Sequence, residues 1–511
     1  MTCSQPMGVV WMKRRVAVAV ALVGVVLLVV MILPASGVPT FTFQKGFIPG
    51  SNDGNEPSLA ISTNGVRYAS WQSPGEFAVS QNGVNWTNTG EPDPGAIGDV
   101  TNAVDASGAV YNGQICGLPA ALHTCIYRST DGTQTWPQEA IAADSNPGAS
   151  DRPWIDVSPH VSNGPWNPDD TTVWLEYHTF SPEELVYVTK STDGGKTFGP
   201  PMNITNDPDA LSSSSCNTIP SGIVADDATG DVYALWLSGN DATANSTSGC
   251  NYSQLGPFNK AWVSVTHDQG LTWSTYQAWQ GRYDMATQQG DNADKIFGTI
   301  SVDDAGQVHV LLPVRHHDDP VGYTTDCQTN SNCKEKPQPT NLLLVTSPDQ
   351  GQHWTKPFAV TPGTQGSSFF PWIAAGGNGT VDAIYYSSNT NQPNFPASIW
   401  YANFAQITGA IATVSGNGAV YTSPPNVAIV RLDPNPVHVG GICSFGIFCS
   451  VVPNANRNLA DSIAIFLDPA GGATAVWTND KVSPERIEFA CQSGGPSATT
   501  GQVLSGCYVA T

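Results

Sequence analysis

The chain has 511 residues, a formal net charge of −22 and only 12% charged residues. So acidic a chain repels the phosphate backbone, which excludes nucleic acid as a partner. Its 50 glycines and 39 prolines, with abundant Asn, Ser and Thr and no helical periodicity, indicate short strands joined by many turns. The composition therefore predicts a large all-β domain.

The N-terminal segment is typical of an exported protein. A basic cluster at residues 13–15 precedes an uncharged apolar run from Val16 to Leu33 and the small-residue stretch 34–37. These features favour a cleaved signal peptide, although an apolar run of this length can also remain in the bilayer as an anchor. Either outcome places residues 38–511 outside the cytoplasm, so we expect a secreted or extracytoplasmic domain. If residues 1–37 are not cleaved, we expect them to be its only contact with the membrane.

Beyond this segment, a recurring pattern indicates inner β-hairpins. In each copy, an apolar strand leads through an acidic or Gly-containing turn into a second strand that ends in an aromatic or apolar residue. The seven copies are Pro57–Trp71, Val100–Tyr111, Arg152–Tyr177, Ile219–Trp236, Ile296–Val314, Phe370–Tyr386 and Ser462–Trp477. Such radial repetition predicts a β-propeller built from four-stranded antiparallel blades.

Five of these hairpins are followed by turns that share one sequence plan. The turns are SQNGVNW from Ser80, STDGTQTW from Ser129, STDGGKTF from Ser191, THDQGLTW from Thr266 and SPDQGQHW from Ser347. In this plan an Asp or Asn can accept backbone N–H bonds, and a Gly can adopt positive φ. Strand-like runs such as residues 185–190 (LVYVTK) lead into the turns, so each turn is predicted to join two antiparallel strands.

The pattern Ser/Thr-x-Asp-x-Gly-x-Thr-aromatic resembles the Asp-box, or BNR repeat, of the sialidase-like β-propellers. Two copies depart from it, with Thr133 in place of Gly and His353 in place of Thr. The resemblance implies that these turns lie on the outer rim, away from the ligand, and therefore have structural rather than catalytic roles. The aspartates concerned are Asp131, Asp193, Asp268 and Asp349.

The number of blades is open at this point. Catalytic sialidases of this kind have six blades, whereas the hairpins here number seven, so we favour seven and keep six as the alternative. The stretch Phe41–Phe47 is predicted to supply the strand that closes the ring with the last blade, because closure removes exposed sheet edges. Residues 406–452 lack the repeat and are predicted to form a long excursion between the sixth and seventh blades.

Eleven cysteines are present, and ten of them follow the N-terminal segment. An even number in an exported chain predicts disulfides, although the sequence alone leaves their connectivity open. Pairing between neighbours would join Cys116 to Cys125, Cys216 to Cys250, Cys327 to Cys333, Cys443 to Cys449 and Cys491 to Cys507. A zinc site is disfavoured, because no C-x-x-C spacing occurs.

The resemblance also implies where chemistry takes place, since this family binds ligands at the central face, near the ends of the innermost strands. Several guanidinium groups there grip a substrate carboxylate, while a Tyr nucleophile polarised by a Glu works with an Asp acid/base. The present sequence has eight arginines after the N-terminal segment, but it lacks the family's Phe/Tyr-Arg-Ile-Pro motif. Glu56-Pro57-Ser58 stands in the comparable place, so no motif assigns the nucleophile.

Acidic–basic pairs lead into two inner strands, Asp151-Arg152 in the third blade and Asp294-Lys295 in the fifth. Such pairs either bind a ligand at the central channel or tie neighbouring blades together by ion pairs that fix register and add little stability. Our candidate catalytic residues are Asp151, Glu176 and Tyr177, and our candidate substrate-binding residues are Arg152, Lys295 and Arg315. Residues 315–319 (RHHDD) could hold a metal, but adjacent loop side chains point in different directions, so no metal and no cofactor is predicted.

Two classes of function remain. One is a glycoside hydrolase of the exo-sialidase type acting on acidic glycans, with Arg152 and Arg315 gripping a carboxylate and Asp151 or Glu176 in acid/base work. The other is a non-catalytic, monomeric propeller that binds a glycan or an extracellular protein partner over its face. The fold resemblance favours the hydrolase, whereas the missing arginine motif and the unassigned nucleophile favour the binding protein.

Overall fold

The computed structural model describes residues 39–72, 76–92, 98–118, 121–144, 150–158, 171–179, 185–205, 218–239, 258–284, 289–293, 297–316, 339–361, 366–391, 395–443, 449, 456–459 and 461–511. The predicted signal peptide or anchor lies outside these residues. Within them, no helix is both long and apolar enough to cross a membrane.

Seven antiparallel sheets of four strands each form the blades of a β-propeller, which confirms the predicted fold and the favoured blade number. The first strand, β1 (Thr42–Phe47), belongs to the last blade. Blade 1 contains β2 (Asn55–Ile61), β3 (Arg67–Gln72), β4 (Phe77–Ser80) and β5 (Thr87–Asn88). Blade 2 contains β6 (Gly98–Val104), β7 (Val110–Leu118), β8 (Ala121–Ser129) and β9 (Gln138–Ala143). Blade 3 contains β10 (Ser150–Ser158), β11 (Thr172–Thr179), β12 (Val186–Ser191) and β13 (Met202–Asn203).

The remaining blades follow the same order from the innermost strand outward. Blade 4 contains β14 (Thr218–Ala225), β15 (Val232–Gly239), β16 (Phe258–Thr266) and β17 (Ser274–Gln280), and a short hairpin of β18 (Tyr283–Asp284) and β19 (Gln289–Gly290) follows it. Blade 5 contains β20 (Thr299–Val302), β21 (Val308–Arg315), β22 (Thr340–Ser347) and β23 (Phe358–Ala359). Blade 6 begins with β24 (Ser368–Ala375), β25 (Val381–Ser388) and β26 (Ile399–Thr408).

The region predicted as a long excursion, residues 406–452, is corrected by the structure. It holds a hairpin of β27 (Ala412–Ser415) and β28 (Gly418–Tyr421), then β29 (Asn426–Arg431), which is the outermost strand of blade 6, and β30 (His438–Val439). Strand β29 has the apolar sequence NVAIVR, but none of its residues is fully buried, and no recurring turn marks its position in the sequence.

Blade 7 closes the ring as predicted. It contains β31 (Ala464–Leu467), β32 (Ala473–Asn479) and β33 (Arg486–Pro496), and β1 pairs antiparallel with β33. A last short strand, β34 (Val503–Leu504), also pairs with β33. The N-terminal strand thus covers the edge that the C-terminal blade would otherwise expose.

A buried ion pair spans the seam between blade 7 and blade 1. Arg67 Nη2 donates to Asp468 Oδ2 over 3.0 Å, and both side chains are almost completely buried. The same guanidinium donates to Thr474 Oγ1 and to the carbonyl oxygens of Gly65 and Tyr508. The C-terminal tail is therefore held against blade 1, while the Cys491–Cys507 disulfide ties it to blade 7.

Three of the five predicted disulfides are present, Cys116–Cys125, Cys443–Cys449 and Cys491–Cys507. Disulfides of this kind are typical of proteins from oxidising compartments, which hints at an extracellular location. The four cysteines of the other two predicted pairs lie outside the described residues.

The recurring turns join the third and fourth strands of blades 1 to 5, as predicted. In the turn after β12, Asp193 Oδ1 accepts the backbone N–H groups of Lys196 and Thr197 at 3.1 and 2.9 Å. Asp193 Oδ2 accepts the hydroxyl of Thr197 at 2.6 Å. Both carboxylate oxygens of Asp193 thus accept hydrogen bonds from within their own turn.

The two departures from the pattern keep this geometry. Thr133 occupies a Gly position with φ 68°, a left-handed conformation that its neighbours hold in place. His353 replaces the usual Thr, and its Nδ1 lies 2.6 Å from Asp349 Oδ2, where the Thr hydroxyl lies in the other turns. An imidazole can therefore take over the role of the hydroxyl.

Candidate functional site

Bulges near the start of the innermost strands shape the central face. The pairing register shifts there in β2, β6, β10, β14 and β24. Three of these bulges hold a residue of positive φ followed by Pro, with Glu56 at 46°, Arg152 at 56° and Phe370 at 51°. Pro donates no hydrogen bond to the ladder, and a bulge re-aims a side chain, so these positions can direct side chains to the centre of the ring.

Six ionisable side chains meet at these bulges, and we call them the central-face cluster. They are Glu56 of blade 1, Asp99 of blade 2, Asp151 and Arg152 of blade 3, and Arg457 and Asp461 of the segment before β31. Four carboxyl groups thus face two guanidinium groups where the innermost strands of neighbouring blades converge.

Arg152 is the centre of the cluster. Its Nη1 lies 3.1 Å from Asp99 Oδ2 and 3.8 Å from Glu56 Oε2, while its Nη2 donates to Asp461. Its guanidinium carbon lies 4.7 Å from the centroid of the Phe297 ring. The side chain is only 12% exposed, so these charges interact with little screening by solvent.

Asp461 joins the two guanidinium groups. Both Arg152 Nη2 and Arg457 Nη2 donate to the same oxygen, Asp461 Oδ2. The Asp461 side chain is 2% exposed and the Arg457 side chain 27%. Arg457 also lies 3.5 Å from Cys449 Sγ, and Cys443 N–H donates to Asn456 O, so the Cys443–Cys449 disulfide borders this part of the cluster.

The carboxyl groups of the cluster differ in their pKa. Burial, with the negative charge of Asp99, raises the pKa of Glu56 to about 8 although Arg152 opposes the shift. Burial also raises the pKa of Asp99, which interacts directly with Glu56. The pKa of Asp151 is instead lowered, because burial is outweighed by the nearby His178 and by the charge of Arg152. The shifts therefore favour a proton shared by the interacting pair Glu56 and Asp99, together with an ionised Asp151, at neutral pH.

Asp151 is paired across the strands with His178, whose Nε2 lies 3.6 Å from Asp151 Oδ2. The sequence interpretation named Tyr177 instead of this neighbour. Tyr177 points to the opposite side of β11, where it stacks on Tyr187 at 5.8 Å, and burial raises its pKa. His178 could have been recognised from strand alternation, since it lies on the same side of β11 as Glu176.

The remaining predicted residues have different positions. Glu176 is completely buried and accepts the Gly222 N–H at 3.0 Å, so it links blade 3 to the bulge of blade 4, and burial raises its pKa well above the usual range. Arg315 ends β21 in blade 5, where its backbone pairs with Asn292. Lys295 lies outside the described residues.

Aromatic rings underlie the charged groups. Trp154 follows Arg152 in the same bulge, and its ring centroid is 5.4 Å from that of Phe297 and 5.2 Å from that of Trp372. Trp154 Nε1 is buried and has no hydrogen-bond partner among the described residues. Convergent polar groups of shifted pKa beside aromatic rings are common in small-molecule sites.

Sequence reasoning missed Glu56, Asp99, Arg457 and Asp461 as site residues. For Glu56 a signal existed, because Glu56-Pro57 and Arg152-Pro153 are the same residue-Pro step at the start of an inner strand. In the part of the chain that the structure describes, no group of three or more His, Cys, Asp or Glu is arranged to hold a metal ion, and most of the 315–319 stretch lies beyond that part.

Comparison with known proteins adds no family. No protein-family model matches the chain, and no curated protein matches it either. Similar solved structures include a protein of unknown function from Dyadobacter fermentans, at 11% identity over 89% of this chain and 99% of that one, with a TM-score of 0.44. An ulvan lyase, a polysaccharide lyase, is 14% identical over 88% and 95%, with a TM-score of 0.44. A leech intramolecular trans-sialidase is 10% identical over 89% and 70%, with a TM-score of 0.38.

Structural similarity at identities and TM-scores this low does not support any conclusion about the activity of this protein. The class of protein is defined by the chain itself: a seven-bladed β-propeller with a cluster of buried, ionisable side chains on its central face.

Proposed function

We propose that the central-face cluster is the active site of a glycoside hydrolase that works by a pair of carboxyl groups. The observation that carries the proposal is the position of Glu56 and Asp151 around the Arg152 guanidinium, at the bulged ends of the innermost strands. Hydrolysis of a glycosidic bond needs one carboxyl group that holds a proton and one that does not.

In this proposal Glu56 is the general acid and Asp151 the general base. Glu56 donates its proton to the glycosidic oxygen as the bond to the anomeric carbon breaks, and Asp151 accepts a proton from the attacking water. The raised pKa of Glu56 and the lowered pKa of Asp151 suit these roles, because carboxyl groups with shifts in opposite directions divide acid and base work. His178 orients Asp151, and Arg152 holds both carboxyl groups in place.

The finer features predicted from sequence belong to the same proposal. Membership of the sialidase-like Asp-box propellers is supported by the hydrogen bonds of the recurring turns, and export is supported by the N-terminal segment and the disulfides. Exo-sialidase activity on acidic glycans stays a prediction from the sequence alone, which the contacts of Asp461 argue against below, and the monomeric state stays a prediction as well. Glu176 and Tyr177 have no role in the mechanism proposed here, because Glu176 accepts the Gly222 N–H of blade 4 and Tyr177 stacks on Tyr187.

A second candidate, the non-catalytic binding propeller, is favoured by one specific observation. Arg152 connects carboxyl groups from blades 1, 2 and 7 to blade 3, which is also what an ion-pair hub that holds a ring together would do. In that case, the central face would bind a glycan or protein without turning it over.

Turnover of a panel of chromogenic aryl glycosides by the purified exported domain separates the two candidates. The panel contains neutral, amino, uronic and sialic sugars. We expect one class to be hydrolysed, and Glu56→Gln and Asp151→Asn each to lower kcat by roughly 100- to 10,000-fold. Asp382→Asn is the matched control, because Asp382 is also a buried carboxyl with a pKa raised to about 8 but lies in blade 6 beside Gln406. No turnover across the panel, or equal turnover by all three variants, would refute the hydrolase proposal.

A further inference from the structure

We infer that the sugar bound beside Arg152 and Arg457 carries no carboxylate, because Asp461 already occupies the place between the two guanidinium groups. The substrate class is therefore a neutral or an amino glycan. This inference rests on the proposed function for its site, but it concerns a different property, the charge of the ligand.

The contacts of Asp461 are those of a bound carboxylate. Two guanidinium groups donate to one of its oxygens, Oδ2, and guanidinium groups are the donors that proteins use to bind carboxylates. Asp461 lies in the chain three residues before β31 begins, and its side chain is almost fully buried. A ligand carboxylate would have to displace this group from both arginines.

The charges around Arg152 point the same way. Glu56 and Asp99 approach its Nη1 and Asp461 its Nη2, so carboxyl groups meet both terminal nitrogens. The six side chains of the cluster are four carboxyl groups and two guanidinium groups, and each guanidinium group already has a carboxyl partner. An anionic sugar would therefore compete with these carboxyl groups for the arginines, whereas a neutral or an amino sugar would not.

Equilibrium binding of matched methyl glycosides tests the inference without requiring turnover. One set of probes contains methyl glucoside, methyl glucosaminide and methyl glucuronide, and a second set contains the corresponding galactose derivatives. A methyl sialoside is added, and the affinity of each probe is measured by ligand-observed NMR. We expect the uncharged or amino member of a matched set to bind roughly 10- to 100-fold more tightly than its uronide. Tighter binding of the uronide or the sialoside would overturn the inference, and so would a failure of every sugar to bind.

The variant Asp461→Asn provides the sharper test. It keeps the shape of the side chain but removes the charge between the arginines, so the ratio of uronide to neutral-sugar affinity should rise by about tenfold or more. A ratio of affinities does not depend on the fraction of protein that is folded, so partial unfolding of the variant does not hide the effect. Asp382→Asn should leave the ratio unchanged, and an unchanged ratio in Asp461→Asn would overturn the inference.

The outcomes of this test and of the turnover assay are distinguishable. Neutral or amino sugars that bind but are not hydrolysed would refute the hydrolase proposal and leave the inference standing. Hydrolysis confined to uronides or sialosides would refute the inference and leave the hydrolase standing.

Discussion

Removing the buried guanidinium at the ring seam should destabilise the whole propeller. In Arg67→Met, Asp468 loses the partner that lies 3.0 Å away, and Thr474 Oγ1 and two carbonyl oxygens lose a donor. Both side chains of the pair are at most 1% exposed, so water cannot replace the lost contacts. Breaking a buried pair by removing one member costs about 3–5 kcal/mol, and we expect a loss in this range.

The loss should depend on pH, because the stranded carboxyl can be relieved by a proton. Burial already raises the pKa of Asp468 against the opposing charge of Arg67, and removing Arg67 raises it further. A carboxyl whose pKa is higher in the folded than in the unfolded protein binds protons preferentially in the folded state, so its contribution to stability falls as pH rises. The destabilisation of Arg67→Met should thus be larger at pH 8 than at pH 5.

Urea unfolding followed by tryptophan fluorescence measures both effects. Arg282→Met is the matched control, because Arg282 pairs with Asp291 but is 65% exposed, and exposed pairs contribute only about 0–1 kcal/mol. The double variant Arg67→Met with Asp468→Leu should recover part of the loss, since it leaves no buried charge. If Arg67→Met costs no more than the Arg282 control, or if its cost is independent of pH, the seam is not held by this pair.

Three further predictions concern the turns, the disulfides and the proposed acid. Asp193→Ala should cost only about 0.5–1.5 kcal/mol in urea unfolding, because the N–H groups of Lys196 and Thr197 are exposed and water can replace the acceptor; a cost several times larger would show that the turn holds more than itself. Mass analysis of alkylated, unreduced protein should find no free thiol after the N-terminal segment, and any alkylated cysteine there contradicts full pairing. Hydrolysis by the wild type should decline as pH rises through about 8, where Glu56 loses the proton it must donate, and a rate still rising beyond that pH would remove Glu56 as the acid.

The seven-bladed ring could be predicted from local patterns because the blades repeat the same kind of inner hairpin, and five of them also repeat the same kind of turn. Inner hairpins such as Pro57–Trp71 bury aromatic residues, and Trp71, Trp236 and Trp477 are fully buried. Turns such as that at Asp193 depend on bonds within five residues, so their sequence is sufficient to recognise them. The outer strand of blade 6, β29, was not predicted because blade 6 lacks the recurring turn that marks the outer hairpins of blades 1 to 5.

For the candidate site, the sequence predicted Asp151 and Arg152 but not the residues from other blades that contact Arg152. Asp151-Arg152 was recognisable because both residues stand together at the start of an inner strand. Their partners Glu56 and Asp99 come from other blades, and Asp461 is more than 300 residues away from Arg152 along the chain. Tyr177 and its neighbour His178 point to opposite sides of β11, because successive side chains of a β-strand alternate in direction. Only His178 lies on the side of Asp151.

The amino-acid sequence by itself thus determined the secondary structure of the blades, the turns between their outer strands and the closing of the ring by Phe41–Phe47, because these depend on short-range bonds and on alternating burial. The tertiary structure alone decided which charges meet at the centre. Ring closure brings the innermost strands together from blades far apart in the chain, and only there does burial raise the pKa of Glu56 while His178 and Arg152 lower that of Asp151. Protonation at the central face is a property of the assembled ring, since desolvation and pairing act only on groups that folding has placed in contact.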